Sequence, residues 1–131
     1  VKKKVYVGYH THLQGTLTAF DEAFAISKGN MANIDFGHYV AASSGDPVVF
    51  LEKFHDRICS FHLKDRKSKE NGGANVPWGQ GDTPIGRILQ SVRTHGYTFP
   101  ATIEMEYDVP AGSTPVAEVR TCVEFCKRVL A

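Results

Sequence analysis

Four short runs of alternating apolar and polar residues, each ending in ionisable side chains and each followed by a stretch with helical spacing, constrain this chain more than any other feature. The runs are Val5–His12, Asn33–Tyr39, Ile58–Asp65 and Ala101–Glu106. Successive side chains of a strand point to opposite faces. His10 therefore shares a face with Tyr6 and Gly8, Asp35 with Asn33 and Gly37, His62 with Ser60, and Glu104 with Thr102. Val5, Val7, Ile34, Phe36, Cys59, Phe61, Leu63, Ile103 and Met105 face the other way, toward a covering layer.

The intervening stretches read as helices. Thr18-Ala19-Phe20-Asp21 has capping-box spacing, with Asp in the place usual for Glu, and Ala19, Phe20, Ala23, Phe24 and Ile26 form a stripe that stops at Gly29-Asn30. A Ser43-Ser44-Gly45 loop leads to Asp46-Pro47, a cap followed by proline, and to a second helix burying Val48, Phe50, Leu51 and Phe54. His55-Asp56-Arg57 makes a short turn. Thr83-Pro84 repeats the cap-and-proline signal before Ile85, Ile88, Leu89 and Val92, which carry the third helix to Gly96. A strand from Thr98 to Met105 follows, and Ser113-Thr114-Pro115 opens a last helix whose Val116, Val119, Cys122, Val123, Cys126 and Leu130 recur at helical spacing. Alternation of strands and helices calls for a parallel sheet with right-handed crossovers. Functional residues at the C-terminal ends of several strands are the habit of the (β/α)8 barrel, which takes roughly 250 residues. With 131 residues the chain has length for one domain, residues 1–131. The expected fold is α/β: half of a (β/α)8 TIM barrel, four parallel strands alternating with four helices.

His10, Asp35, His62 and Glu104, one from each strand, can converge on one divalent cation, and their nitrogen and oxygen donors suit Mn²⁺, Zn²⁺, Co²⁺ or Fe²⁺ better than Ca²⁺, with Mg²⁺ also open. Gly37 is read as breaking the pleat by its wider choice of backbone angles, so that His38 leaves the strand. The plainer alternative is a turn, with Asp35 capping backbone N–H groups and His38 at the surface. The connection from Asp65 to Asp82 is the longest. Its first half is expected to be mobile, and Trp78 beside Gly79 and Gly81 is either a substrate wall or a pin that holds the loop to the rim.

Composition narrows the class of partner. Apolar residues make up 42% and charged residues 22%, ordinary for a globular protein. A net charge of +1 gives no basic field for nucleic acid. There is no transmembrane run, signal peptide, low-complexity tract or repeat beyond the strand–helix unit, so no membrane partner is expected. Three cysteines without a C-x-x-C read as buried thiols, Cys59 on the apolar face and Cys122 and Cys126 on the last helix, which favours a reducing, cytoplasmic setting. The first residue is Val rather than Met, as at a cut or processed end.

Taken together, His10-Thr11-His12, Ile34-Asp35-Phe36-Gly37-His38, Arg57-Ile58 with Phe61-His62-Leu63-Lys64-Asp65, Trp78-Gly79-Gln80-Gly81-Asp82 and Ile103-Glu104-Met105-Glu106-Tyr107 resemble the xylose-isomerase-like superfamily of sugar phosphate isomerases and epimerases. The resemblance covers essentially the whole chain and corresponds to strands five to eight of the family barrel. It implies metal ligands at Asp35, His62 and Glu104, with His10 where many members carry Glu. That departure removes one of the two carboxylates that epimerases use as acid and base, and leans toward branches reading Tyr-His-x-His, inosose-dehydratase-like proteins among them. Glu106, on the face of Glu104, could replace it as ligand.

The implied activity is metal-assisted proton abstraction next to the carbonyl of a sugar or sugar phosphate, through an enediolate. His12 or Glu106 would be the base, with His12 orienting His10 as the alternative. His38 would bond a substrate hydroxyl, and Lys64 would offset negative charge or else pair with Asp65 or Glu104. Trp78 would complete the substrate contacts. The rival is a metal-binding half-barrel without activity of its own, whose exposed edges call for a second half, from a homodimer or from a missing N-terminal half. A dehydratase-like lyase and a repair nuclease are further readings, the last opposed by the near-neutral charge.

Overall fold

A computed structural model of the chain describes residues 3–43 and 45–131. Ser44, read as part of a loop, lies outside the described residues. Four strands, β1 (Val7–His10), β2 (Asn30–Asp35), β3 (Ile58–Leu63) and β4 (Ala101–Ile103), form one sheet in the order β1-β2-β3-β4. Every pairing is parallel. The helices are α1 (Asp21–Ile26), α2 (Phe36–Ser43), α3 (Pro47–Phe54), α4 (Ile85–His95) and α5 (Pro115–Leu130). All-parallel strands in sequential order, joined by helical crossovers, are the architecture of half a (β/α)8 barrel.

The core lies between the sheet and its helices. Ile34, Phe61 and Leu63 are each 1% exposed and meet Phe50, Leu51 and Ile88, each fully buried. The aromatic rings interlock: Phe50 lies 4.9 Å from Phe54 and 5.5 Å from Phe20, and Phe61 lies 5.3 Å from Phe36. Burying side chains of this size contributes on the order of 2 kcal/mol each. Caps work as expected on two helices. Asp46 accepts the Val48 N–H at 3.1 Å on α3, and Thr114 accepts that of Ala117 at 3.2 Å on α5, each with proline as first helical residue. Gly96 closes α4 with φ at 67°, in the left-handed region open to glycine.

Other expectations are corrected. Phe36 to Ser43 is a helix, α2, instead of the end of a strand and a loop; His38 sits in its first turn and is 8% exposed. Gly37 is helical, without a positive φ, so its value lies in its missing side chain: a Cβ there would stand 2.3 Å from Lys64 Cγ. The Thr18 capping box does not form. The α1 helix has no side-chain cap, ends at Ile26, and leaves Ile26 80% exposed. Thr83 does not cap α4 either; its hydroxyl accepts the Arg66 N–H at 3.1 Å. On α5 the face against the core is Cys122, Phe125, Cys126 and Val129, while Val116, Val119 and Leu130 face outward.

A register shift in β2–β3, where Ala32 pairs with Ile58 and Asn33 with Ser60, leaves Cys59 as an extra residue. Its sulfur turns from the covering layer toward Gly8, 2.7 Å from where a Cβ of that residue would stand. The loop half expected to be mobile is tied down, with Asp82 accepting from Ser68 N–H and Asn71 Nδ2 at 2.8 and 2.9 Å, and Arg66 bridging to Asn75.

Candidate functional site

The parallel strands all end at one rim, and their last polar residues meet there. His10 ends β1, Asp35 ends β2, His62 is the penultimate residue of β3, and Glu104 follows β4 with its N–H bonded to Leu63 O at 2.9 Å. Asp35 and His62 are register partners. The rings of His10 and His62 lie 4.7 Å apart, and Nδ1 of His62 is hydrogen-bonded to Glu104 Oε2. One potential ligand atom from each of His10, Asp35 and His62 falls within 4.8 Å of the others.

Hydrogen bonds prepare these atoms. Ionised Glu104 only accepts, so His62 carries its proton on Nδ1 and keeps the Nε2 lone pair. His10 is arranged alike, with Nδ1 2.6 Å from Asn33 Oδ1. Asp35 divides its two oxygens. Oδ1 accepts the His38 N–H at 2.8 Å, capping α2, while buried Oδ2 has no hydrogen bond. The Lys64 ammonium lies 3.3 Å from Oδ2 without the alignment of a hydrogen bond. Two imidazoles that each keep a nitrogen open and a buried carboxylate oxygen that accepts no hydrogen bond fit a divalent cation by donor type, and the three residues fit it by spacing.

Lys64 is the hub of the polar cluster and 1% exposed. Its Nζ lies 2.6 Å from Glu106 Oε2, 2.8 Å from Glu104 Oε1 and 3.0 Å from His38 Nε2. Burial works to lower its pKa, but the bonds to Glu104 and Glu106 and the charge of Asp35 outweigh it and hold Lys64 above its usual range. Burial likewise opposes ionisation of Glu104, yet Lys64 and His62 bring that carboxyl down to about 2. The hydrogen bond from Lys64 also holds Glu106 low. Burial lowers His38, against the pull of Asp35.

His12 completes the cluster, its ring 5.0 Å from His10 and 4.7 Å from His38. His10, His12 and His38 also have ligand atoms within 4.8 Å. That trio is a poor cation site. Both ring nitrogens of His38 already face cations, Nδ1 the Arg66 guanidinium with Nη1 at 2.6 Å and Nε2 the Lys64 ammonium at 3.0 Å, so neither is open to a metal ion. Trp78 stands apart from the cluster. Its indole meets Phe125 of α5 edge-on at 5.9 Å and borders a cavity shared with Asp65, Gly79, Gly81 and Thr83. Asp65, too, is turned away from Lys64: Oδ2 accepts from Gly79 and Gly81 N–H at 2.8 and 2.9 Å, and Oδ1 from Thr83 N–H.

Sequence reasoning missed Arg66 and left Asn33 and Ser60 without a role. Period-two parity was the available signal, since Arg66 continues the series His62, Lys64, and Asn33 precedes Asp35 by two.

The family model for a xylose isomerase-like TIM barrel matches residues 2–129. The chain belongs to the xylose isomerase-like TIM-barrel family. Among solved structures it is similar to a xylose isomerase domain protein from Planctomyces limnophilus, with a TM-score of 0.74 and 23% identity over 95% of this chain and 46% of that one. It is also similar to a probable 3-DHS dehydratase from Bacillus anthracis (0.69, 21%, covering 95% and 50%) and to 3-keto-D-glucoside 4-epimerase from E. coli (0.71, 14%, covering 97% and 47%). No curated protein matches the sequence. The chain thus spans about half the length of each of these solved structures. At such identities the likeness establishes the fold, and the chemistry must be argued from the residues.

Proposed function

We propose that this chain carries the cation-holding half of a sugar or sugar phosphate isomerase or epimerase that works by proton transfer next to a carbonyl. The observation that carries the reading is the meeting of one ligand atom each from His10, Asp35 and His62 beside a buried lysine held by two glutamates. His10, Asp35 and His62 hold the divalent cation, Mn²⁺, Zn²⁺, Co²⁺ or Mg²⁺, with Glu104 either joining them or fixing His62 from behind. When bound, the cation polarises a carbonyl oxygen as a Lewis acid.

The remaining groups handle proton and charge. Glu106, ionised and half exposed, and His12, whose ring has no hydrogen bond among the described residues, are the two candidate bases. The Lys64 ammonium, anchored by its carboxylates, faces the negative charge of an enediolate. His38, held between Lys64 and Arg66, bonds a substrate hydroxyl. Trp78, its ring committed to Phe125, acts as the pin of the rim loop in this reading.

Isomerisation, epimerisation and dehydration share the first proton abstraction, and a lyase remains the second chemical reading because both imidazoles and carboxylates flank the site. The bareness of β1 supports a further requirement. Val5 and Tyr6 are 61% and 63% exposed, and Val7 and Tyr9 of that strand are also exposed. A second half, from an N-terminal segment or a second copy, covers these side chains and pairs the free backbone of β1 and β4. No helix among the described residues is long and apolar enough to cross a membrane.

The test combines metal analysis of the purified protein with a screen of ketoses, aldoses and their phosphates in D₂O, read by NMR. Deuterium entering the carbon next to the carbonyl, abolished by Asp35→Asn and by chelation, is expected. A metal-loaded, closed barrel that exchanges no carbon-bound hydrogen in any of these sugars overturns the reading.

A further inference from the structure

His10, Asn33 and Ser60 form one row across the sheet. Asn33 is the register partner of His10 on β1 and of Ser60 on β3, so the three side chains stand abreast on the face of the site. The Asn33 Oδ1 lies 2.6 Å from His10 Nδ1, and Asn33 Nδ2 donates to the Ser60 hydroxyl. An amide has one accepting and one donating end, so seating Nδ2 on Ser60 aims the oxygen at His10. The ring proton of His10 is then required on Nδ1. Turned over, the same amide would present Nδ2 to the ring, drive its proton to Nε2 and remove the lone pair from the one ring nitrogen that Asn33 leaves open to a cation. Ser60 permits either orientation because a hydroxyl both donates and accepts.

We infer that Asn33, with its Nδ2 seated on Ser60, is a positioning residue that sets the tautomer of His10 and thereby makes this histidine a cation ligand. The inference rests on the cation-holding reading above, but its first half concerns the metal-free ring and stands or falls separately. Asn33 does for His10 what the Glu104 carboxylate does for His62, with a neutral group where a carboxylate would add charge next to Asp35. Groups of this kind tune metal affinity by orienting the ligand.

The experiment reads the tautomer directly, by long-range ¹H–¹⁵N correlation on ¹⁵N-histidine-labelled, metal-free protein at a pH above the ordinary imidazole range. Zn²⁺ affinity is measured by calorimetry on the same samples, and circular dichroism confirms that each variant is folded. Wild type is expected to show His10 protonated on Nδ1. Asn33→Leu should mix the two forms and weaken Zn²⁺ binding about 10- to 100-fold. Asn33→Asp, which can only accept, should restore the Nδ1–H form and binding at least as tight as wild type. Ser60→Ala, milder for the fold, should shift the tautomer part of the way. The inference is overturned if His10 in wild type is protonated on Nε2, or if its tautomer in Asn33→Leu and Ser60→Ala matches wild type. An Asn33→Asp protein as impaired as Asn33→Leu overturns it as well, since Asn33 would then act through packing alone. A tautomer that moves as described in a protein that binds no Zn²⁺ refutes the cation-holding reading and leaves the Asn33–His10 assignment intact.

Discussion

Lys64 is the residue on which the charge balance of the site turns. Its ammonium lies within 3.3 Å of oxygens from Asp35, Glu104 and Glu106, and it reaches them because Gly37 offers no side chain to block its stem. Lys64→Met leaves Asp35, fully buried, without its nearest cation, and should cost about 3 kcal/mol in the metal-free protein, the lower end for breaking a buried pair because Glu106 faces water. Urea unfolding checks this, and added Zn²⁺ should recover more stability in the variant than in wild type. Gly37→Ala should act on the same group by displacing Lys64, with a smaller loss. Glu104 provides the pH signature. Its folded pKa, about 2, lies below the ordinary 4.5, so the stability it contributes is complete above pH 4.5 and is lost as pH falls toward 2. Glu104→Gln should flatten the urea midpoint across that window, and an unchanged slope would refute the pairing.

At the scale of elements, the four strands were legible because period-two alternation ends in an ionisable group at each of them. The α2 helix was not. Phe36, Gly37, His38, Tyr39 and Val40 are all buried, so the segment has no polar face to announce a helical period, and its first residues continue the alternation of β2. Thr83-Pro84 misled for a different reason: the threonine has the right chemistry for a cap but is claimed by Arg66 and Asp65. Of the site, the residues at strand ends could be read from parity, whereas the partition of Asp35 between a helix cap and the cluster depends on α2 and was hidden with it. The rim loop offers its own test. A Cβ on Gly81 would stand 2.0 Å from Asp65 Oδ1, so Gly81→Ala should break the amide nest around that carboxylate. Hydrogen exchange should then speed up at Gly79, Gly81 and Thr83 while the amides of β2 and β3 keep their protection.

Across the whole molecule, the outer edges of β1 and β4 carry a common consequence, because every strand points the same way. Any partner that extends the sheet in parallel brings its own strand ends to the mouth already occupied by His10, Asp35 and His62. Two copies of this chain, joined β1 to β4 on both sides, would set two such clusters face to face in one opening, where a single sugar would span both and only one could turn over at a time. A dissimilar partner would leave one cluster per opening. Bound cation per unit of mass, two sites in a closed pair of 131-residue chains against one in a mixed barrel, tells these assemblies apart without reference to activity.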